Sequence, residues 1–200
     1  MSELIRVAFH IHTNYSPDSR TTIEQVIDKA ISCGIKKIAI TDHNTIRGAL
    51  HMKRLYPEMV IVGEEIMTSE GEIIGLFLSK LIPRDMTPEQ TLSEIHAQGG
   101  LSYIPHPFDY KRAHFTVKRI RELAHMIDII EIFNPKCSPE CNNLASQIAN
   151  ELGIACAVGC DAHYAEDVCK YTMLIEDFAS PVELLFALKN SQTNLELRTS

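Results

Sequence analysis

The sequence predicts an α/β barrel of about seven strands in a single domain spanning residues 1–200, and three observations carry that expectation. Short runs rich in β-branched and aliphatic residues alternate with helical segments whose ends are marked by caps and glycines. Most of the runs are apolar throughout, as strands covered on both faces of a parallel sheet are. Histidines and acids gather where the runs end, and a ring of polar residues at the carboxyl ends of many strands suits a closed barrel better than an open sheet with one crevice.

In chain order, the first run is residues 6–10, ending on His10 with His12 two residues on. If strand geometry persists, its period of two turns both imidazoles to one side. Thr22 and Gln25 then form a capping box, Ile23, Val26, Ile27, Ala30 and Ile31 follow helical spacing, and Gly34 closes the segment. Residues 37–41 lead into Asp42 and His43, residues 60–63 into Glu65, and residues 73–78 follow Glu72. Thr87-Pro88 opens a helix through Leu92 and Ile95 that stops at Gly99-Gly100. Residues 101–105 end before His106, and residues 127–133 carry Glu131 and lead to Asn134. Ser138-Pro139 opens the next helix, through Leu144, Ala145, Ile148, Ala149 and Leu152 to Gly153. Residues 155–159 precede Asp161 and His163, residues 172–175 form the last run, and Ser180, Pro181 and Glu183 start a helix carried by Leu184, Leu185 and Leu188. Repeated strand–helix units imply a parallel sheet.

At 200 residues and 45% hydrophobic, the chain has enough apolar material for one full core, and no linker, repeat or low-complexity tract divides it. The start lacks the basic and apolar regions of a secretion signal, and no apolar stretch approaches the length of a membrane span, so a cytoplasmic protein is expected. Six cysteines show no zinc-finger spacing; Cys137 and Cys141, like Cys156 and Cys160, are separated by three residues. Reduced thiols serving mainly as small core residues are expected, with Cys160 adjoining Asp161. A net charge of −7 argues against a track for long duplex nucleic acid.

Five segments in order, Phe-His-Ile-His-Thr-Asn-Tyr-Ser-Pro-Asp (9 to 18), Ile-Thr-Asp-His-Asn (40 to 44), Val-Gly-Glu-Glu-Ile (62 to 66), Ile-Pro-His-Pro (104 to 107) and Gly-Cys-Asp-Ala-His (159 to 163), resemble the PHP (polymerase and histidinol phosphatase) superfamily. That resemblance implies a distorted (β/α)7 barrel with two or three divalent ions. His10, His12 and Asp161 would hold the first ion, Glu65 would bridge to the second beside His106, and Asp18, His43 and His163 would hold the third. Imidazole and carboxylate donors together suit Zn, Mn or Fe. Two positions depart from the pattern. Ala8 stands where many relatives have an aspartate that would orient a ligand, and Glu72 stands where several carry a ligand histidine. A carboxylate at 72 can bind the second ion; a solvated turn acid is the alternative.

The activity implied is hydrolysis of a phosphoester, a small phosphomonoester or a nucleotide-like phosphodiester, by a metal-bridging hydroxide, with Glu65, Asp161 and His163 as the catalytic residues. No Gly-x-Ser-x-Gly elbow or P-loop competes. Among the loop cations Arg20, Arg84, Lys111, Arg112 and Lys136, Arg20 and Lys136 lie nearest the motifs and are the candidates for binding substrate phosphate. His51, His96, His114 and His125 have no partner at ligand spacing and read as ordinary histidines. For Glu131 and Asn134, a part in the site and a purely structural part fit equally well. An amidohydrolase-like C–N hydrolase and a metal-binding module without catalysis are the alternatives; eight ligand-type positions favour catalysis.

Overall fold

The computed structural model describes residues 3–191. Its elements are β1 (Leu4–Ile11), α1 (Ile23–Ser32), β2 (Ile35–Ile40), α2 (Arg47–Leu55), β3 (Val60–Met67), β4 (Glu72–Leu76), α3 (Pro88–Ala97), β5 (Leu101–Ile104), α4 (Val117–Leu123), β6 (Ile129–Phe133), α5 (Pro139–Leu152), β7 (Ala155–Ala162), β8 (Met173–Glu176) and α6 (Pro181–Ser191). Strands β1 to β7 close a barrel, because β1 pairs with both β2 and β7. β8 lies outside the ring, antiparallel to residues Leu4 to Val7 of β1, while β7 takes over from Phe9 onward. The helix ends are those marked in the sequence: Thr22 with Gln25 and Thr87 with Gln90 form capping boxes, Ser138 caps α5, and Gly153 adopts the left-handed conformation at its end.

One expectation is corrected. The sheet is not wholly parallel, since β4 runs antiparallel to both β3 and β5. Met67 pairs with Glu72 across a tight turn in which Thr68 N donates to Gly71 O at 2.9 Å. A crossover between parallel strands needs a dozen residues or more, so this short link admits only a hairpin. The reversal matters for the site, because the start of β4 reaches the rim where β3 ends.

Two buried layers flank the barrel wall. Val7, Phe9, Ala39, Ile61, Ile74, Tyr103, Ile129 and Ala157 form an inner cluster with Leu184, Ala187 and Leu188, so α6 packs against the barrel interior. Ala8, Ile11, Ile38 and Ile40 belong to an outer cluster with Val26 and Ile27 of α1 and Ile148 of α5. Alternation along β1 thus separates Val7 and Phe9 from Ala8.

The cysteines are the second correction. Cys33, at the end of α1, is joined to Cys169 by a disulfide across 136 residues, with Cα atoms 6.2 Å apart. Such a pair is brought together only by tertiary folding. Cys137, Cys141, Cys156 and Cys160 are free thiols. Cys160 is buried with its thiol directed at the backbone carbonyls of Phe9 and His10, and burial pushes its pKa up. Among the described residues, no helix is long and apolar enough to cross a membrane.

Glu64 occupies a place where an acid is unfavourable. Its side chain is buried, one oxygen accepts from Ile82 N at 3.0 Å, and the other has no partner. Burial raises its pKa from 4.5 to about 7. A carboxyl whose folded pKa lies above its unfolded one costs stability as pH climbs from the unfolded to the folded value, and the cost is complete above the latter. Glu64→Gln should therefore leave the melting temperature near that of the parent at pH 4, and stabilise the fold by about 1–3 kcal/mol at pH 8. Thermal melts of both proteins across that range check it; a parent that loses no stability relative to the variant refutes it.

Candidate metal centre

The ligand-type residues lie at strand ends where the backbone leaves regular β geometry. His10 has φ 65°, His106 φ 28° and Asp161 φ 46°, all in the left-handed region. These conformations cost about 1–3 kcal/mol each for non-glycine residues and persist only where surrounding structure enforces them. In β1 the pairing with both β2 and β7 slips before Ile11. The slip lets His10 join the inward side directly after the inward Phe9, which strict alternation forbids. Period two alone therefore misdescribes how the two histidines come to face together.

Glu65 is the hub. Its Oε2 lies 3.3 Å from His10 Nε2, 3.2 Å from His12 Nε2 and 3.2 Å from His43 Nδ1, and its Oε1 lies 3.0 Å from His106 Nε2. Asp161 Oδ1 is 3.7 Å from His10 Nε2 and 3.6 Å from His12 Nε2. Asp18 Oδ2 sits 3.2 Å from His43 Nε2 and 3.0 Å from His163 Nε2. Glu72 is buried rather than solvated, 3.9 Å from His43 Nδ1 and 3.8 Å from His106 Nε2. In four sets the ligand atoms all fall within 4.8 Å of one another: His12, Asp18, His43 and His163; His10, His12 and Asp161; His10, Glu65 and His106; and His43, Glu65 and Glu72.

The charges in this pocket act directly on one another. Burial alone would raise Glu65, but His10 and the imidazoles around it hold the carboxyl well below its usual value. Burial likewise opposes ionisation of Asp161, and His10 and Arg112 overcome it. His10 is driven well above the ordinary imidazole value by Glu65, Glu131 and Asp161 in spite of burial, whereas burial keeps His12 below it. Glu72 is pushed up by burial and by Glu65, so its charge is the least compensated of the four acids.

These residues fit divalent ions. His12 Nε2 is buried and, although 3.2 Å from Glu65 Oε2, has no well-aligned hydrogen bond; it belongs to a set of convergent nitrogen and oxygen donors. Orphaned buried donors of this kind are costly unless something else engages them. Carboxylates mixed with imidazoles suit divalent metal ions.

Around this set, Lys136 Nζ lies 3.1 Å from Asp161 Oδ1 and 2.8 Å from His163 Nδ1. Arg20 is exposed and, among the described residues, makes no ion pair with the pocket. Arg112 instead places its guanidinium 2.9 Å from Asp161 Oδ2. In the sequence it was one of five loop cations, with Arg20 and Lys136 nearer the motifs. Asp42 accepts from Thr13 N at 2.6 Å and Thr13 Oγ1 at 2.8 Å, and Ser16 Oγ accepts from His43 N at 2.8 Å, so both pin the loop that follows His12. His51 meets Tyr15, His96 meets Asp128, and His114 meets the Arg112 carbonyl, all apart from the pocket.

A barrel whose rim gathers imidazoles and carboxylates in overlapping sets is an architecture suited to holding several metal ions. The model of the PHP domain matches residues 8–195, and the chain belongs to that family. An uncharacterized protein of Methanocaldococcus jannaschii is 45% identical over 143 residues, 65% of this chain and 82% of the relative. A two-domain protein of Bacteroides vulgatus, described as containing a predicted PHP-like metal-dependent phosphoesterase, superposes with a TM-score of 0.75 at 18% identity. The match covers 94% of this chain but only 63% of that one, less than two thirds of its length. An amidohydrolase of Chromobacterium violaceum, with bound sulfate and no metal, gives a TM-score of 0.69 at 17% identity over 90% of this chain and 96% of that one. At such identities the structural matches establish the fold.

Proposed function

We propose that this chain hydrolyses a phosphoester, either a small phosphomonoester or a nucleotide-like phosphodiester, at a centre of two or three divalent ions. The observation that carries this reading is Glu65, a buried carboxylate with four imidazole nitrogens within 3.3 Å. His10, His12 and Asp161 would hold one ion, Glu65, His106 and Glu72 a second, and Asp18, His43 and His163 a third. Bound there, the ions would supply Lewis-acid activation and charge neutralisation for in-line displacement at phosphorus.

The protein's own groups supply the rest. Lys136 and Arg112, partly exposed beside Asp161, offer two positive charges for the non-bridging oxygens of a phosphate, and Arg112 can do so bidentately. Arg20 is a weaker candidate for that contact. Glu65 and Asp161 would orient the reacting centre and accept the proton given up by the attacking water, and His163 would contribute by holding the third ion on the same rim. With a net charge of −7, the chain offers a long polyanion little attraction beyond this rim.

The name of the Chromobacterium violaceum amidohydrolase supports a second reading, attack on a C–N bond. Initial rates separate the two. With Mn or Zn present, nucleoside and sugar phosphates should turn over faster than single-stranded oligonucleotides at equal phosphate concentration. Faster cleavage of the oligonucleotides points to a nuclease, and hydrolysis of amides or lactones alone points to the C–N hydrolase.

His43→Ala should remove one ion per chain and leave the others, because His10, His12, Glu65, His106 and Asp161 remain together. Turnover should fall by about two to four orders of magnitude, several kcal/mol of lost charge stabilisation. Elemental analysis reads the stoichiometry, and loss of every ion at once would refute this partition of ligands.

A further inference from the structure

Glu131 has no place in the ligand sets, yet it is buried at 1% exposure directly beneath them. Its carboxylate accepts four hydrogen bonds, two on each oxygen. Oε2 takes Tyr103 OH at 2.6 Å and His10 Nδ1 at 3.0 Å. Oε1 takes Asn134 Nδ2 at 2.7 Å and the backbone N of His106 at 3.0 Å. The same Asn134 amide lies 3.2 Å from Asp161 Oδ2. One side chain on β6 is thereby tied to residues at the ends of three other strands: His10 of β1, His106 after β5, and Asp161 of β7 through Asn134.

The barrel wall is cut to admit this carboxylate. A Cβ built on Gly159 would stand 1.8 Å from Glu131 Oε2 and 2.4 Å from its carboxyl carbon. Any side chain at 159 would displace the carboxylate from below His10. Ala8 lies on the opposite side of β1, in the layer against the helices, so the negative charge beneath His10 comes from β6.

We propose that Glu131 is a positioning residue, whose buried carboxylate fixes the donor atoms of His10, His106 and Asp161 for the ions of the site; this rests on the metal reading given above. Because the carboxylate has no proton to give, the proton between it and His10 stays on Nδ1. With an ion in place of the Nε2 proton, the lone pair of Nε2 would face Glu65 and Asp161, the direction of the shared donors. The bond to His106 N supports a backbone at φ 28°, in the left-handed region, together with the turn bond from Asp109 N to the His106 carbonyl. Carboxylates behind ligating histidines act in this way, setting the tautomer and ring orientation.

Glu131→Gln is the informative variant, because a glutamine amide must turn its NH2 toward one of two pairs of donors. Zinc(II) titration by calorimetry, with circular dichroism to follow the fold, should show affinity 10- to 100-fold weaker than in the parent. In zinc-loaded parent protein, long-range proton–nitrogen spectra should find His10 protonated on Nδ1 and bound through Nε2, a result that does not depend on any variant folding. A folded Glu131→Gln protein with parental zinc affinity, or a His10 ring protonated on Nε2, overturns the proposal while leaving the metal reading intact. A parent protein that takes up no zinc overturns both.

Discussion

Asp161→Asn should abolish turnover, by about 1,000-fold or more, while the protein stays folded. The expected loss corresponds to about 4 kcal/mol of transition-state stabilisation. The amide keeps the shape of the carboxylate but not the charge that His10, His12, Arg112 and Lys136 all face. The fold survives because Asp161 sits at φ 46°, a left-handed conformation in which asparagine is among the best tolerated residues. Asn134 can still reach the amide oxygen. Initial rates under saturating metal, with circular dichroism on the same samples, check both halves; a variant within tenfold of parental activity would remove Asp161 from the reaction.

The second large effect is that of metal itself. Chelation should bring phosphoester turnover to background, and added Mn or Zn should restore it. The same titration should raise the melting temperature, because ions that bind only the folded chain stabilise it by about 2.7 kcal/mol at a concentration one hundred times the dissociation constant. In a domain of this size that is several degrees. The mutual repulsion of Glu65 and Glu72, which pushes Glu72 up, is relieved at the same time. Turnover that persists in chelated protein, with no change in melting on adding metal, would defeat the metal-dependent reading.

Much of this was legible along the chain. The caps at Thr22, Thr87 and Ser138, the apolar runs and the residues that end them depend on local chemistry, which acts over a few neighbours and leaves periodic traces. The motifs from His10 to His163 were visible for the same reason, each being a short segment at a strand end. The antiparallel β4 was legible too, from a link too short for a crossover, although the repeated strand–helix pattern masked it.

What the sequence could not determine depends on atoms far apart in the chain. Cys33 and Cys169 meet across 136 residues, Arg112 reaches Asp161 across the barrel mouth, and Glu131 finds its space only because Gly159 on the neighbouring strand has no side chain. His10 faces inward through a bulge that regular alternation would deny it. In each case the deciding quantity is a packing distance or a backbone dihedral enforced by other strands, and such constraints exist only once the barrel has closed.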